Sequence, residues 1–175
     1  RPDGTGTPDG TGTPDGDPEW SWDWAWLRQA EAPRAGRGGN VRVADLFSGC
    51  GQMSVGVAEA ARAVGLRADL ALAADLDADA VEVCRRTFPG CDGRTTPIEQ
   101  LLDGKPGEKT SRVERTFLRE ISDIDLLVGG PPCQGHSDFN NHTRRDDDRN
   151  ALILKLVRFA ELVRPRHVVI ENVRG

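Results

Sequence analysis

The chain has 175 residues, 37% apolar and 29% charged, an ordinary balance for one domain with a buried core. No apolar stretch approaches the roughly 18 residues needed to cross a bilayer and no basic-then-apolar start marks a secretory signal, so a soluble intracellular protein is expected. The net charge of −5 lies wholly in residues 1–26, which hold one arginine against six acidic groups, while the remainder balances 22 basic with 22 acidic residues; the acidity therefore does not exclude nucleic acid as a partner.

Residues 2–16 repeat Pro-Asp-Gly-Thr-Gly-Thr twice and begin it again, with no apolar side chain to bury, so residues 1–19 read as a disordered leader. A start at Arg1 implies a preceding segment. Trp20, Trp22, Trp24 and Trp26 recur at a spacing of two and share one side if extended, which makes 20–40 a flap or linker rather than a base-stacking platform, because nothing basic interleaves them. From residue 41 the pattern is regular and residues 41–175 form the domain. A strand over 41–46 and a glycine-bearing turn lead into a helix from Met53 to Val64. A second strand over 70–74 ends in Asp75, and Ala80, Val81, Val83 and Cys84 then recur at helical spacing. Gly104 to Arg115, rich in charge, glycine and proline, reads as a surface insertion. An apolar strand over 124–128 is followed by a helix over 150–163 carrying Leu152, Leu156, Phe159 and Val163 on one stripe. Pro165 stops it, and His167 to Ile170 form a fourth strand. Strands alternating with helices imply a parallel, doubly wound α/β sheet.

Four cysteines without a CxxC pair and only three histidines point away from zinc and from a disulfide framework, and fit reduced thiols in a cytoplasm. Cys133 stands out. It follows the strand in Gly129-Gly130-Pro131-Pro132-Cys133-Gln134-Gly135-His136-Ser137, where two prolines fix φ and remove ladder donors, so the thiol sits on a stiff exit from the sheet rather than in a packed strand. In a parallel sheet the ligand-bearing strand ends point the same way, so Asp45, Asp75, Cys133 and Glu171 share one rim. The turn Asp45-Leu46-Phe47-Ser48-Gly49-Cys50-Gly51 admits a close backbone approach, and Asp75 is placed to accept hydrogen bonds from ribose hydroxyls. The third glycine of a dinucleotide fingerprint is absent, which favours a nucleoside without phosphates.

These blocks resemble the DNA cytosine methyltransferases that modify carbon 5 of the base. The likeness covers residues 41–175 and lies in Asp45 to Gly51, Gly130-Pro131-Pro132-Cys133-Gln134-Gly135 and Glu171-Asn172-Val173, in the family's order. The resemblance implies a Rossmann-like methyltransferase fold with a mostly parallel sheet flanked by helices, S-adenosylmethionine as methyl donor, no metal, and double-stranded DNA with a flipped cytosine as substrate. It assigns Cys133 as the nucleophile toward carbon 6 and Glu171 as the partner of ring nitrogen 3 and the exocyclic amine. Phe47, Ser48, Gly49, Cys50 and Gly51 would wrap the methionine part, Asp75 the ribose and Leu76 the adenine face, with Gly130, Pro132 and the backbone at Leu152 completing the wall. Asp148 would cap the following helix, and residues 144–149 would form a lid.

The chain departs from the family at His136, Gln52 and Leu76, and at Thr95 and Thr96, where the acidic adenine contact falls. The family's later blocks and target-recognition region have no counterpart before Gly175, so the fold is expected to be incomplete at the C-terminus and the chain to have negligible activity alone, as a fragment or as one piece of a split enzyme whose missing segment or second chain reads the target. Its working place would be the cytoplasm, at the nucleoid. The competing expectations are a transfer-RNA cytosine-5 methyltransferase and a non-catalytic regulatory subunit on the same fold.

Overall fold

Short apolar runs separated by helices give this chain a parallel sheet whose central strands are buried. The computed structural model describes residues 38–121, 123–132 and 150–172; the leader, the tryptophan segment, Cys133 through Arg149 and Val173 lie outside them. The strands are β1 (Asn40–Leu46), β2 (Arg67–Ala74), β3 (Asp92–Arg94), β4 (Leu126–Gly129) and β5 (His167–Ile170). Their order is β3-β2-β1-β4-β5 and every pairing is parallel. The helices are α1 (Gln52–Ala63), α2 (Ala78–Thr87), α3 (Ile98–Leu101), α4 (Arg112–Glu120) and α5 (Asn150–Val163). The strand order turns around between β1 and β4, the place where open α/β sheets open a crevice at the carboxyl ends of their strands.

Alternation along the strands, with a bulge in β2 where Val43 pairs with Leu70 but Ala44 with Leu72, sorts side chains into two cores. Val43, Leu70, Ala73 and Val128 pack with Cys84 of α2 and with Met53 and Val57 of α1. Ala44, Leu46, Leu72 and Leu127 face the other way, toward Ile98, Phe117, Leu156 and Phe159 of α3, α4 and α5. The rings of Phe117 and Phe159 meet with centroids 6.2 Å apart. Gly129 ends β4 where α5 crosses closest: a Cβ there would collide with the Leu156 side chain and stand 2.8 Å from the Leu46 carbonyl oxygen, so only glycine lets strand and helix meet. Beside β4, at the edge of the described sheet, β5 carries Val168, Val169 and Ile170 at 45%, 50% and 40% exposure.

The segment from Gly104 to Arg115 lies at the surface from Lys105 to Val113, as expected, but Gly104 and Glu114 are buried. Its end is the start of α4, closed by a capping box in which Ser111 and Glu114 satisfy each other's backbone N–H groups. Glu114 is fully buried, because Arg158 of α5, also fully buried, donates to it from Nε at 2.9 Å and Nη2 at 2.7 Å. Arg158 Nη1 further donates to the Glu108 carbonyl and to Glu161, each at 2.8 Å, and Lys155 donates to the carbonyls of Leu102 and Gly104. The Arg158 guanidinium holds the Glu114 carboxyl down at about 2. A second difference is β3, which the apolar pattern does not announce and which makes the strand at His167 the fifth rather than the fourth.

Candidate functional site

The turn after β1 is shaped by backbone geometry and by one carboxylate. Phe47, Gly49 and Gly51 take positive φ of 64°, 51° and 88°. The N–H groups of Phe47 and Ser48 both donate to the Ala74 carbonyl, at 2.8 and 3.1 Å, which ties the turn to the end of β2. Asp75, the next residue along, accepts from the Gly49 N–H at 2.8 Å and from the Asp77 N–H at 3.0 Å. A carboxylate accepting two backbone donors still has lone pairs for a third group.

These elements enclose a cavity of about 320 Å³ at the carboxyl edge of the sheet, within the size range of small-molecule sites. From the end of β1 come Phe47 and Gly49, and from β2 come Ala74, Asp75 and Leu76. Gly130 and Pro132 follow β4, and Leu152 belongs to α5. Leu76 is 69% exposed, an apolar group standing in the wall of an open pocket. Thr96, Ile98 and Glu99 close the side beyond β2. Ala74, Ile98 and Glu99 are absent from the sequence-based set, the last two because β3 has no apolar residue to signal a strand end, while Thr96 stands where the resemblance places an adenine contact.

Three expected cofactor residues do not line the cavity. Ser48 is buried, with Cys84 Sγ 4.0 Å from its hydroxyl. Cys50 is exposed and accepts from Gln52 Nε2 at 3.1 Å. Gly51 is the N-cap of α1. Glu171 leaves β5 with its N–H bonded to the Gly129 carbonyl at 3.0 Å, and its Oε2 lies 3.4 Å from where a Cβ on Gly130 would sit, so the ends of β4 and β5 are side by side. Cys133 lies outside the described residues, one position beyond Pro132 of the cavity wall. Also outside them are His136, Ser137 and residues 144–149. Among the described residues no cluster of side chains suits a metal ion, and no helix is long and apolar enough to cross a membrane.

Asp45 is not on the rim. Its side chain is fully buried, accepts from the Ser54 hydroxyl at 2.6 Å, and leaves Oδ1 with no hydrogen-bond partner. Burial raises its carboxyl from 3.8 to about 6, against the Ser54 hydrogen bond and with help from the Asp75 charge. The folded chain therefore holds this proton more tightly than the unfolded one, so stability from this group is full below about pH 4 and falls as pH rises toward 6. The fall should be on the order of 3 kcal/mol. Glu114 acts in a separate window, its contribution present above the usual glutamate value and lost as pH falls toward 2. Urea unfolding between pH 4 and 7 should show the decline in the native chain and a flatter profile in Asp45→Asn; equal slopes would rule this out.

The profile of the C-5 cytosine-specific DNA methylases matches residues 41–175. The chain is 41% identical over 155 residues to the type II methyltransferase M1.BsuMI of Bacillus subtilis, covering 88% of this chain and 36% of the relative. It is 33% identical over 138 residues to DNA (cytosine-5)-methyltransferase 1 of Gallus gallus, covering 77% of this chain and 9% of that one. Among solved structures, a DNA modification methyltransferase encoded within an E. coli prophage aligns with a TM-score of 0.55 at 29% identity, over 77% of this chain and 32% of the other. The chain thus spans about a third, or less, of the length of these relatives.

Proposed function

Because the chain belongs to the C-5 cytosine-specific DNA methylases, we propose that it carries the cofactor pocket and the nucleophile for methyl transfer from S-adenosylmethionine to carbon 5 of cytosine in DNA. The observation that carries this reading is the cavity at the turnaround of the strand order, whose wall ends at Pro132, next to Cys133.

The residues present suit the methyl donor. The turn at Phe47 and Gly49 offers close backbone contact to its amino-acid part, Asp75 retains acceptor capacity for ribose hydroxyls, and Leu76 supplies an apolar surface for a flat ring. When bound, the donor supplies a methyl group on a positively charged sulfur. Carbon 5 of cytosine is a poor nucleophile. The Cys133 thiolate adds to carbon 6, and the ring electrons displaced by that bond make carbon 5 electron-rich enough to take the methyl group. Glu171 holds ring nitrogen 3 and the exocyclic amine as charge builds there. Loss of the proton from carbon 5 then restores the double bond and expels the thiolate. The base reaches such a site only when turned out of the duplex. Target recognition falls to a further segment or a second chain, since the match covers only 36% of one relative and 9% of the other.

Calorimetric titration with S-adenosylhomocysteine tests the pocket. One equivalent should bind, and Asp75→Asn should weaken binding about 10- to 100-fold by removing a charged acceptor. Absence of binding by the native chain refutes the proposal.

A further inference from the structure

We propose that Lys155 is a positioning residue for the methyl donor, clamping the α3 wall of the cavity to the α5 wall without touching the ligand; this inference rests on the cofactor reading above.

α3 and α5 both contribute to the cavity wall, α3 through Ile98 and Glu99 and α5 through Leu152. α3 is a single turn of four residues that follows Pro97 with no side-chain cap. One turn fixes several dihedral angles for very few hydrogen bonds and does not hold itself together in water, so α3 keeps its place through tertiary contacts. Ile98 and Leu102 supply the apolar part of these, at 7% and 0% exposure. Lys155 supplies the polar part. Its Nζ donates to the Leu102 carbonyl at 2.7 Å and to the Gly104 carbonyl at 3.1 Å, at the end of α3, where carbonyls have no partner within the helix.

The placement of Lys155 on α5 joins the two walls. It stands three residues beyond Leu152, so one turn of α5 both lines the cavity and grips the end of α3. Arg158, a further three residues along, has a different duty: it binds Glu114, Glu161 and the Glu108 carbonyl, none of which lines the cavity. Without the Lys155 ammonium the α3 turn is free to leave its place. The arrangement that fits the donor then becomes a fraction of the population, and the apparent affinity falls by that fraction. A lysine with a structural duty alone would, on removal, lower stability and leave the affinity of the folded chains intact.

Calorimetric titration with S-adenosylhomocysteine, at a temperature where every variant is folded, separates the two. Lys155→Met, which keeps the alkyl stem and loses the donors, should bind about 10-fold more weakly, near the value of one charged hydrogen bond. Lys155→Arg can still donate to both carbonyls and should recover most of that loss, while Lys155→Gln, a milder change with one amide group, should fall between. Val43→Ala, which weakens the core on the opposite face of the sheet, should bind as the native chain does. Amide exchange over residues 98–104 should be faster in Lys155→Met than in the native chain, and saturating ligand should slow it again. Native affinity in Lys155→Met and Lys155→Gln, an equal loss in Val43→Ala, or no recovery in Lys155→Arg overturns the assignment while the cofactor reading stands. A native chain that does not bind the ligand overturns the cofactor reading and this inference with it.

Discussion

Replacing Arg158 with alanine is expected to destabilise the protein by roughly 3–5 kcal/mol, a large share of the stability of a domain this size. The guanidinium is fully buried and donates to Glu114, to the Glu108 carbonyl and to Glu161. Removing it strands the equally buried Glu114 carboxylate, whose proton affinity is low only because of that partner. The loss should then include a pH signature: Arg158→Ala should regain part of its deficit as pH is lowered and Glu114 takes up a proton. Replacing both members, Arg158→Met with Glu114→Leu, should be far milder than the single change, since apolar groups leave no charge unpaired. Denaturant unfolding of the three proteins is the measurement. A double variant as unstable as Arg158→Ala would show that the pair's hydrogen bonds to the 104–111 segment, rather than charge compensation, are what matters.

The second large effect is chemical. With S-adenosylmethionine and a duplex containing 5-fluorocytosine, the chain completed by the remaining length of a methylase domain should become covalently attached to DNA. Fluorine cannot leave carbon 5 as a proton does, so the thioether to carbon 6 persists. Cys133→Ala should abolish the adduct entirely, and Glu171→Gln should slow its formation by about 10²-fold or more, as expected when a group that stabilises developing charge is lost. Adduct formation by Cys133→Ala would remove that residue from the mechanism. Labelling of transfer RNA in preference to duplex DNA would change the substrate while keeping the chemistry.

The sequence and the fold agree where hydrophobic runs are long enough to show a period. β1, β2, β4 and β5 fall within a few residues of expectation because each is rich in apolar residues, and β2, β4 and β5 end at a polar or glycine residue. β3 escapes because Asp92, Gly93 and Arg94 have no apolar side chain among them; their strand character comes from pairing with β2, a tertiary cause. Missing β3 also hides Ile98 and Glu99 in the cavity wall, since strand ends can be assigned only to strands that are seen. The capping box at Ser111 and Glu114 was present as a local signal, but the charged, glycine-rich run before it masked the start of α4. Arg158 reads as an outward position between Leu156 and Phe159, and only its partner across 44 residues of chain explains its burial. Around the glycine turn, Phe47 and Gly49 face the cavity while Ser48, Cys50 and Gly51 do not. Positive backbone φ at Phe47, Gly49 and Gly51 decides which neighbours turn inward, and residue order alone does not reveal it.

The exposure of β5 has a colloidal side. Val168, Val169 and Ile170 form a β-branched stretch at the margin of the described sheet, the kind of edge onto which a second strand can add. Arg164, Arg166 and Glu171 bracket it, and such flanking charges act as gatekeepers against self-association. Because the bracket carries both signs, the protection comes from keeping those charges hydrated rather than from repulsion between copies.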